Sequence, residues 1–189
     1  MKNILFALFL TLISIPAVSA QTTNKTVEKI RAYYNEISEK ARLAETDDDQ
    51  GQYGGLFVNE LAINSRSHQW RAVGIYQPVY KFFYKTTGES MYPETLVMIK
   101  TARKVSDRSY LEEYVYDEKR ALLFYFQKAE NDAQTPAERR VYFAMGKAFL
   151  IVEGDRSRDK PYVTDAATVN EIIAQSEKLR DMFLRSLKL

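Results

Sequence analysis

The chain has no cysteine, one histidine, one tryptophan, five prolines and seven glycines in 189 residues. Without cysteine there is no disulfide, no thiolate nucleophile, no thiolate metal site and no lipid-attached cysteine. With His68 alone, any Ser-His-Asp triad must pass through the polar stretch SRSHQW, and no Gly-x-Ser-x-Gly elbow accompanies it. His68 reads as a surface residue. The seven glycines form neither a GxGxxG run nor a P-loop, so no phosphate cradle is written in the chain. An excess of one charge sign is missing too. Basic residues number 27 and acidic ones 25, interspersed, without the basic stripe that nucleic acid requires. Asp47-Asp48-Asp49 invites a calcium loop, but position 5 is then Gly51, position 6 Gln52 and position 12 Val58. The register fails, and the segment reads as a solvated acidic turn. No metal or cofactor is expected.

Long apolar runs are also scarce, with one exception at the start, MKNILFALFLTLISIPAVSAQ. Lys2 precedes the apolar run Ile4–Ile15, Pro16 ends that run, and Val18-Ser19-Ala20 puts small residues at −3 and −1 before Gln21. This is the pattern of a secretory signal peptide over 1–20, cleaved after Ala20. The run is shorter than the roughly 20 apolar residues of a spanning helix. Residues 21–189 then form one secreted domain, periplasmic or extracellular and soluble, long enough to bury a core without staples. Asn24-Lys25-Thr26 is a glycosylation sequon, relevant only in a eukaryotic source.

What the chain does have is aromatics, 13 Tyr and 10 Phe. They concentrate in a strand-rich middle. Val27, Ile30, Tyr34, Ile37, Ala41 and Ala44 recur at helical spacing, predicting a helix over Thr26–Ala44 with Thr26 as cap. Seven strand-like runs come next, Leu56–Asn64, Val73–Tyr84, Leu96–Val105, Tyr110–Asp117, Ala121–Gln127, Arg139–Phe143 and Lys147–Glu153. Their connections are short and polar, which favours antiparallel pairing. Pro78 removes a ladder donor, so its strand is an edge there or carries a bulge. Val169, Ile172, Ser176, Leu179, Phe183 and Leu187 trace a helix over Thr168–Leu189, with Thr168 and Glu171 as a capping box. The expected class is α+β, an N-terminal helix, an antiparallel meander of about seven strands and a C-terminal helix packed on the sheet.

Two stretches look alike, YVYDEKRALLFYF and YFAMGKAFLIV. With Tyr116 set on Phe143, Ala121 falls on Ala148 and Tyr125 on Val152. Alternation then puts Tyr114, Tyr116, Leu123 and Tyr125 on one face, with Val141, Phe143, Leu150 and Val152. It puts Val115, Leu122 and Phe124 on the other, with Tyr142, Phe149 and Ile151. Both faces are apolar, whereas a solvated antiparallel sheet alternates. Each face is therefore covered, or one awaits a partner. Glu112 and Glu113 are neighbours on a strand and point to opposite faces, so they cannot form a catalytic pair. In this region Glu113-Tyr114, Tyr116-Asp117, Leu122, Phe124, Glu138-Arg139, Tyr142-Phe143 and Gly146-Lys147 resemble a hairpin pattern of secreted bacterial proteins with no known activity. The resemblance spans about 110–154 and implies no catalytic residue. The hairpins are also similar to membrane-occupation repeats, whose regular glycines are absent here.

The candidate binding residues are Tyr76, Tyr80, Phe82 and Tyr84 on one strand face, Tyr114 and Tyr116 in the first hairpin, and Arg140 as a cation for carboxylate or phosphate. A salt bridge from Arg139 or Arg140 to Glu112 or Glu113 is the structural alternative. No catalytic residue is assigned. The expected function is a non-enzymatic exported binding or interaction protein. Its partner is an envelope protein, a second copy, or a small apolar or glycan ligand. A carboxylate-based hydrolase and an apolar-ligand carrier are the alternatives. N-terminal sequencing of the protein recovered from outside the cytoplasm should read Gln21 as the first residue; a chain that still begins at Met1 overturns the export reading.

Overall fold

The computed structural model describes residues 16–46, 55–72, 74–86, 95–161 and 163–188. The apolar run Ile4–Ile15 and the acidic turn Asp47–Gly51 lie outside them. The order is α1 (Pro16–Thr46), β1 (Phe57–Ala62), β2 (Gln69–Trp70), β3 (Gly74–Lys85), β4 (Thr95–Val105), β5 (Arg108–Tyr116), β6 (Leu122–Glu130), β7 (Glu138–Ala144), β8 (Lys147–Glu153), β9 (Arg156–Asp159) and α2 (Ala166–Ser186). The sheet is an antiparallel meander, β1-β3-β4-β5-β6-β7-β8-β9, with β2 also on β3. The α+β class holds with nine strands rather than seven. The two additions are short, Gln69–Trp70 and Arg156–Asp159, and carry no apolar alternation to announce them.

The helix faces agree with the apolar spacing. On α1, Val27, Ile30, Ile37, Ala41 and Ala44 are buried, and on α2, Val169, Ile172, Ser176, Leu179 and Phe183. The helix starts differ. α1 is described from Pro16, so Thr26 lies inside it, and the expected cleavage point after Ala20 falls within the helix. On α2 the N-cap is Asp165 without a side-chain cap bond. Its carboxylate instead accepts from Arg158 Nε at 3.1 Å and from the Thr164 hydroxyl at 2.7 Å. Thr168 and Glu171 are therefore helical residues, not a capping box.

The helices lie on opposite faces of the sheet. α2 covers Phe82, Leu96, Ile99, Tyr114, Tyr116, Tyr125, Val141, Phe143, Ala148 and Ile151. α1 covers Phe83, Val97, Met98, Val115, Phe124, Tyr142 and Leu150. Phe183 of α2 sits 5.6 Å from Phe82 and 5.4 Å from Tyr84 between ring centroids. Burying an aromatic side chain of this kind stabilises by about 1.5–3 kcal/mol. The second apolar face thus has a cover, the N-terminal helix.

Register explains the likeness of the two hairpins and corrects it by one residue. Tyr116 pairs with Leu122 while Val115 pairs with Phe124, leaving Leu123 as a bulge. Phe143 pairs with Ala148 while Tyr142 pairs with Leu150, leaving Phe149. Tyr84 pairs with Leu96 while Phe83 pairs with Met98, leaving Val97. Leu122, not Ala121, is therefore equivalent to Ala148. Because strand side chains have a period of two, each bulge reverses the face alternation between the residues on its two sides. Leu122 and Ile151 thus join the α2 side, and Leu123, Leu150 and Val152 the α1 side, the reverse of the unbulged expectation. All three bulges sit at the same end of the sheet, next to the β3–β4, β5–β6 and β7–β8 connections. Pro78 meets the expectation of a local edge: β1 stops at Ala62 and β2 resumes at Gln69, and the Pro78 carbonyl accepts from Ile63 N–H at 2.9 Å.

The β7–β8 turn is Met145-Gly146, both with positive φ (51° and 73°), as a two-residue hairpin of the primed kind demands. Met145 is 98 % exposed and makes no packing use of its side chain. Asn tolerates this conformation better than Met. Met145→Asn should raise stability by about 1 kcal/mol, read as a higher urea midpoint at unchanged m-value; a lower midpoint contradicts the turn assignment.

Candidate functional site

On the α2 face, cross-strand register builds rows. One row, Phe82–Ile99–Tyr114–Tyr125–Val141–Ile151, is apolar core apart from its phenol oxygens. The next row out, Tyr80–Thr101–Glu112–Gln127–Arg139–Glu153, is polar over six strands. Its members are joined. Glu112 accepts from the Tyr125 hydroxyl at 2.9 Å and from the Thr101 hydroxyl at 3.1 Å. Arg139 Nε donates to Glu153 at 2.6 Å, and Arg158 donates to the other Glu153 oxygen at 2.9 Å. Burial alone would raise the Glu153 carboxyl, but the two arginines outweigh it and hold the group below the usual carboxylate range. Burial pushes the Tyr125 and Tyr114 hydroxyls far up, with Glu112 adding to both shifts.

Above this row the first half of α2 roofs a cavity of about 390 Å³. Its floor includes Arg103, Glu112, Gln127 and Arg139, and its roof Glu171 and Lys178. The Arg103 guanidinium lies 4.6 Å over the Tyr110 ring. The Tyr110 hydroxyl donates to Asp132 at 2.7 Å, and Asp132 also accepts from Thr135 and from the Gln134 N–H. These bonds, led by that of Tyr110, draw the Asp132 carboxyl from 3.8 down to about 2. Beyond the reach of α2 no element among the described residues covers the sheet face. Trp70, 48 % exposed, packs 5.4 Å from the half-buried Tyr76, and further along β3 the partly buried Tyr80 is the end of the polar row, packed against the α2-side core. Leu61 pairs with Tyr80 and is 43 % exposed. An aromatic strip therefore runs to the mouth of a polar cavity.

The sequence-derived candidates divide. Tyr76 and Tyr80 belong to this open corner. Phe82, Tyr114 and Tyr116 are core, each 1 % exposed, and the Tyr116 hydroxyl is spent on Ser176 Oγ at 2.9 Å. Tyr84 packs on Phe183 and donates to Asn59 at 3.2 Å. Arg140 is on the opposite face, paired with Glu138 and lying 5.7 Å from the Phe126 ring. Arg139 pairs with Glu153 rather than with Glu112 or Glu113. As alternation requires, Glu113 points to the α1 side, accepting from Tyr34 at 2.5 Å. His68 sits in the exposed β1–β2 loop, its N–H bonded to Asn64. Trp70, Arg103, Glu112, Glu171 and Lys178 were not among the candidates. Only Trp70, the single tryptophan, carried a signal in the sequence.

Two further concavities lie on the α1 side. One of about 940 Å³ separates the early turns of α1 from β8 and β9, between Arg31, Phe149 and Val152. One of about 410 Å³ surrounds Tyr33 and Leu123. Among the described residues no group of three or more His, Asp or Glu is placed to hold a metal ion. No helix among them is long and apolar enough to cross a membrane. The chain matches no family model, no curated protein and no solved structure.

Because the folded Asp132 value is depressed, its contribution to stability is full above its unfolded value near 3.8 and is lost as pH falls toward about 2. Tyr110 ring resonances and the Gln134 amide should shift together over that window, and Asp132→Asn should abolish the transition. A transition that persists in the variant would falsify the assignment.

Proposed function

We propose that this is an exported, non-enzymatic binding protein whose ligand is a glycan, held where the sheet extends beyond α2. The observation that supports it is the continuity of the Trp70–Tyr76–Tyr80 strip with the polar cavity under α2. Sugar rings present apolar CH faces and a rim of hydroxyls. Aromatic rings suit the first, and a mixed set of donors and acceptors such as Arg103, Glu112 and Gln127 suits the second. A protein partner or a second copy is less well served. Among the described residues the exposed large apolar side chains at this corner are Leu61, Ile63 and Trp70, few for the apolar centre of a stable protein interface. An apolar-ligand carrier needs an apolar chamber between sheet and helices; the middle of that space is filled by Phe82, Tyr114, Tyr116 and Phe183 on one side and by Phe83, Met98 and Tyr142 on the other, and the concavity beside the early turns of α1 is lined by Glu28, Arg31, Asp159 and Lys160 as well as by Phe149 and Val152. Export rests on the N-terminal pattern.

A hydrolytic reading draws on one observation, that Glu112 and Glu171 line the same cavity. Both Glu112 oxygens are already engaged by hydroxyls, which favours a holding role over proton transfer. Calorimetry against a panel of oligosaccharides tests both readings. Trp70→Ala and Tyr76→Ala should each weaken binding about three- to tenfold, the scale of a lost ring contact. Tyr116→Phe, in the core, should leave it unchanged. Absence of binding by every oligosaccharide rules out the glycan reading. Cleavage of a bound glycan, lost in Glu112→Gln or Glu171→Gln, establishes the hydrolase instead.

A further inference from the structure

We infer that the glycan bound at this corner is an acidic one, and that Arg103 seats its carboxylate; the inference rests on the glycan reading above. Four polar side chains form the cavity floor. Three are occupied from within. Glu112 accepts from Tyr125 and Thr101, the Gln127 amide oxygen shares the Tyr125 proton at 3.1 Å and accepts from Arg139 at 3.5 Å, and Arg139 is committed to Glu153. Arg103 differs. Among the described residues it makes no ion pair and donates no hydrogen bond, so its guanidinium edge is free.

Its face is not free. The guanidinium lies over the Tyr110 ring, which limits how far it can turn, and the Tyr110 hydroxyl is held by Asp132. A planar fork held in this way offers two parallel N–H groups to a carboxylate, which a flexible ammonium cannot do. Arg103 also has the right place. It pairs with Pro78, between Tyr76 and Tyr80 along β3, so it stands at the join of aromatic strip and cavity. On the roof Lys178 and Glu171 offset one another, and Glu112 adds a carboxylate on the floor. These carboxylates suit ligand hydroxyls and confine the ligand's own carboxylate to the Arg103 side. A uronic-acid unit has the required features, a ring for Tyr76 or Tyr80 and an equatorial carboxylate beside it.

The experiment uses purified protein and two probes, an oligosaccharide containing uronic acid and the same compound with its carboxyl reduced to the alcohol. Calorimetry should find the acidic probe bound about tenfold or more tightly, the value of a charge-assisted bond. Arg103→Gln should bring the two probes level, and Arg103→Lys should recover only part of the difference because the fork is lost. Arg103 is exposed, and an unchanged thermal midpoint confirms that the variants fold. Equal binding of both probes by the native protein overturns the acidic ligand while leaving the glycan reading intact. A preference that survives Arg103→Gln overturns the role of Arg103. Failure of both probes to bind overturns the inference and the glycan reading together.

Discussion

The rest of the structure depends on a sheet whose middle is apolar on both faces. Phe82, Tyr114 and Tyr125 point one way, and Phe83, Val115 and Phe124 the other. An antiparallel meander satisfies its own backbone hydrogen bonds but does nothing to remove these side chains from water. Two separate covers are required. The chain supplies them from its two ends, α1 before the meander and α2 after it. Neither helix stripe is wide, and neither needs to be, because each meets a flat face rather than a groove between other elements.

The covers stop where register turns polar. On the α2 side the change comes at Thr101–Glu112–Gln127–Arg139–Glu153. On the α1 side the corresponding row contains Glu60, Lys81, Lys100 and Glu113. There Lys81 bridges Glu45 and Glu60, and Tyr34 reaches Glu113 from the helix. Partly buried charges carry a desolvation cost, offset here by charged or hydroxyl partners. These rows fix the sliding position of each helix, since a shift along the strands would place an apolar stripe over carboxylates.

Function enters where cover and sheet fail to match. α2 crosses from the polar row to Phe82 and Tyr84, so among the described residues the outer part of β1, β2, β3 and β4 has no cover. Aromatics outside that path form the half-exposed strip of Trp70, Tyr76 and Tyr80. The same chemical inventory, tyrosine on a strand, gives core at Tyr114 and a contact surface at Tyr76, and the distinction is where α2 crosses the sheet.

The α+β order, the antiparallel connections and the buried stripe of each helix are all legible in the linear chain. Those features depend on contacts a few residues apart, whose period is visible along one segment: Val27 to Ala44 and Val169 to Phe183 repeat every three or four positions. Legible too is the opposition of Glu112 and Glu113, because alternation is local. Which tyrosines are core is settled by packing alone, since Tyr76 and Tyr116 look the same until a helix covers one of them. Pairing in three dimensions also sets the faces of Leu122 and Leu150, since a bulge is one unpaired residue with no composition of its own. The polar cavity was hidden for a third reason. Arg103, Glu112, Gln127, Glu171 and Lys178 come from three strands and a helix far apart in the chain, and their meeting is a product of cross-strand register, which no single segment contains.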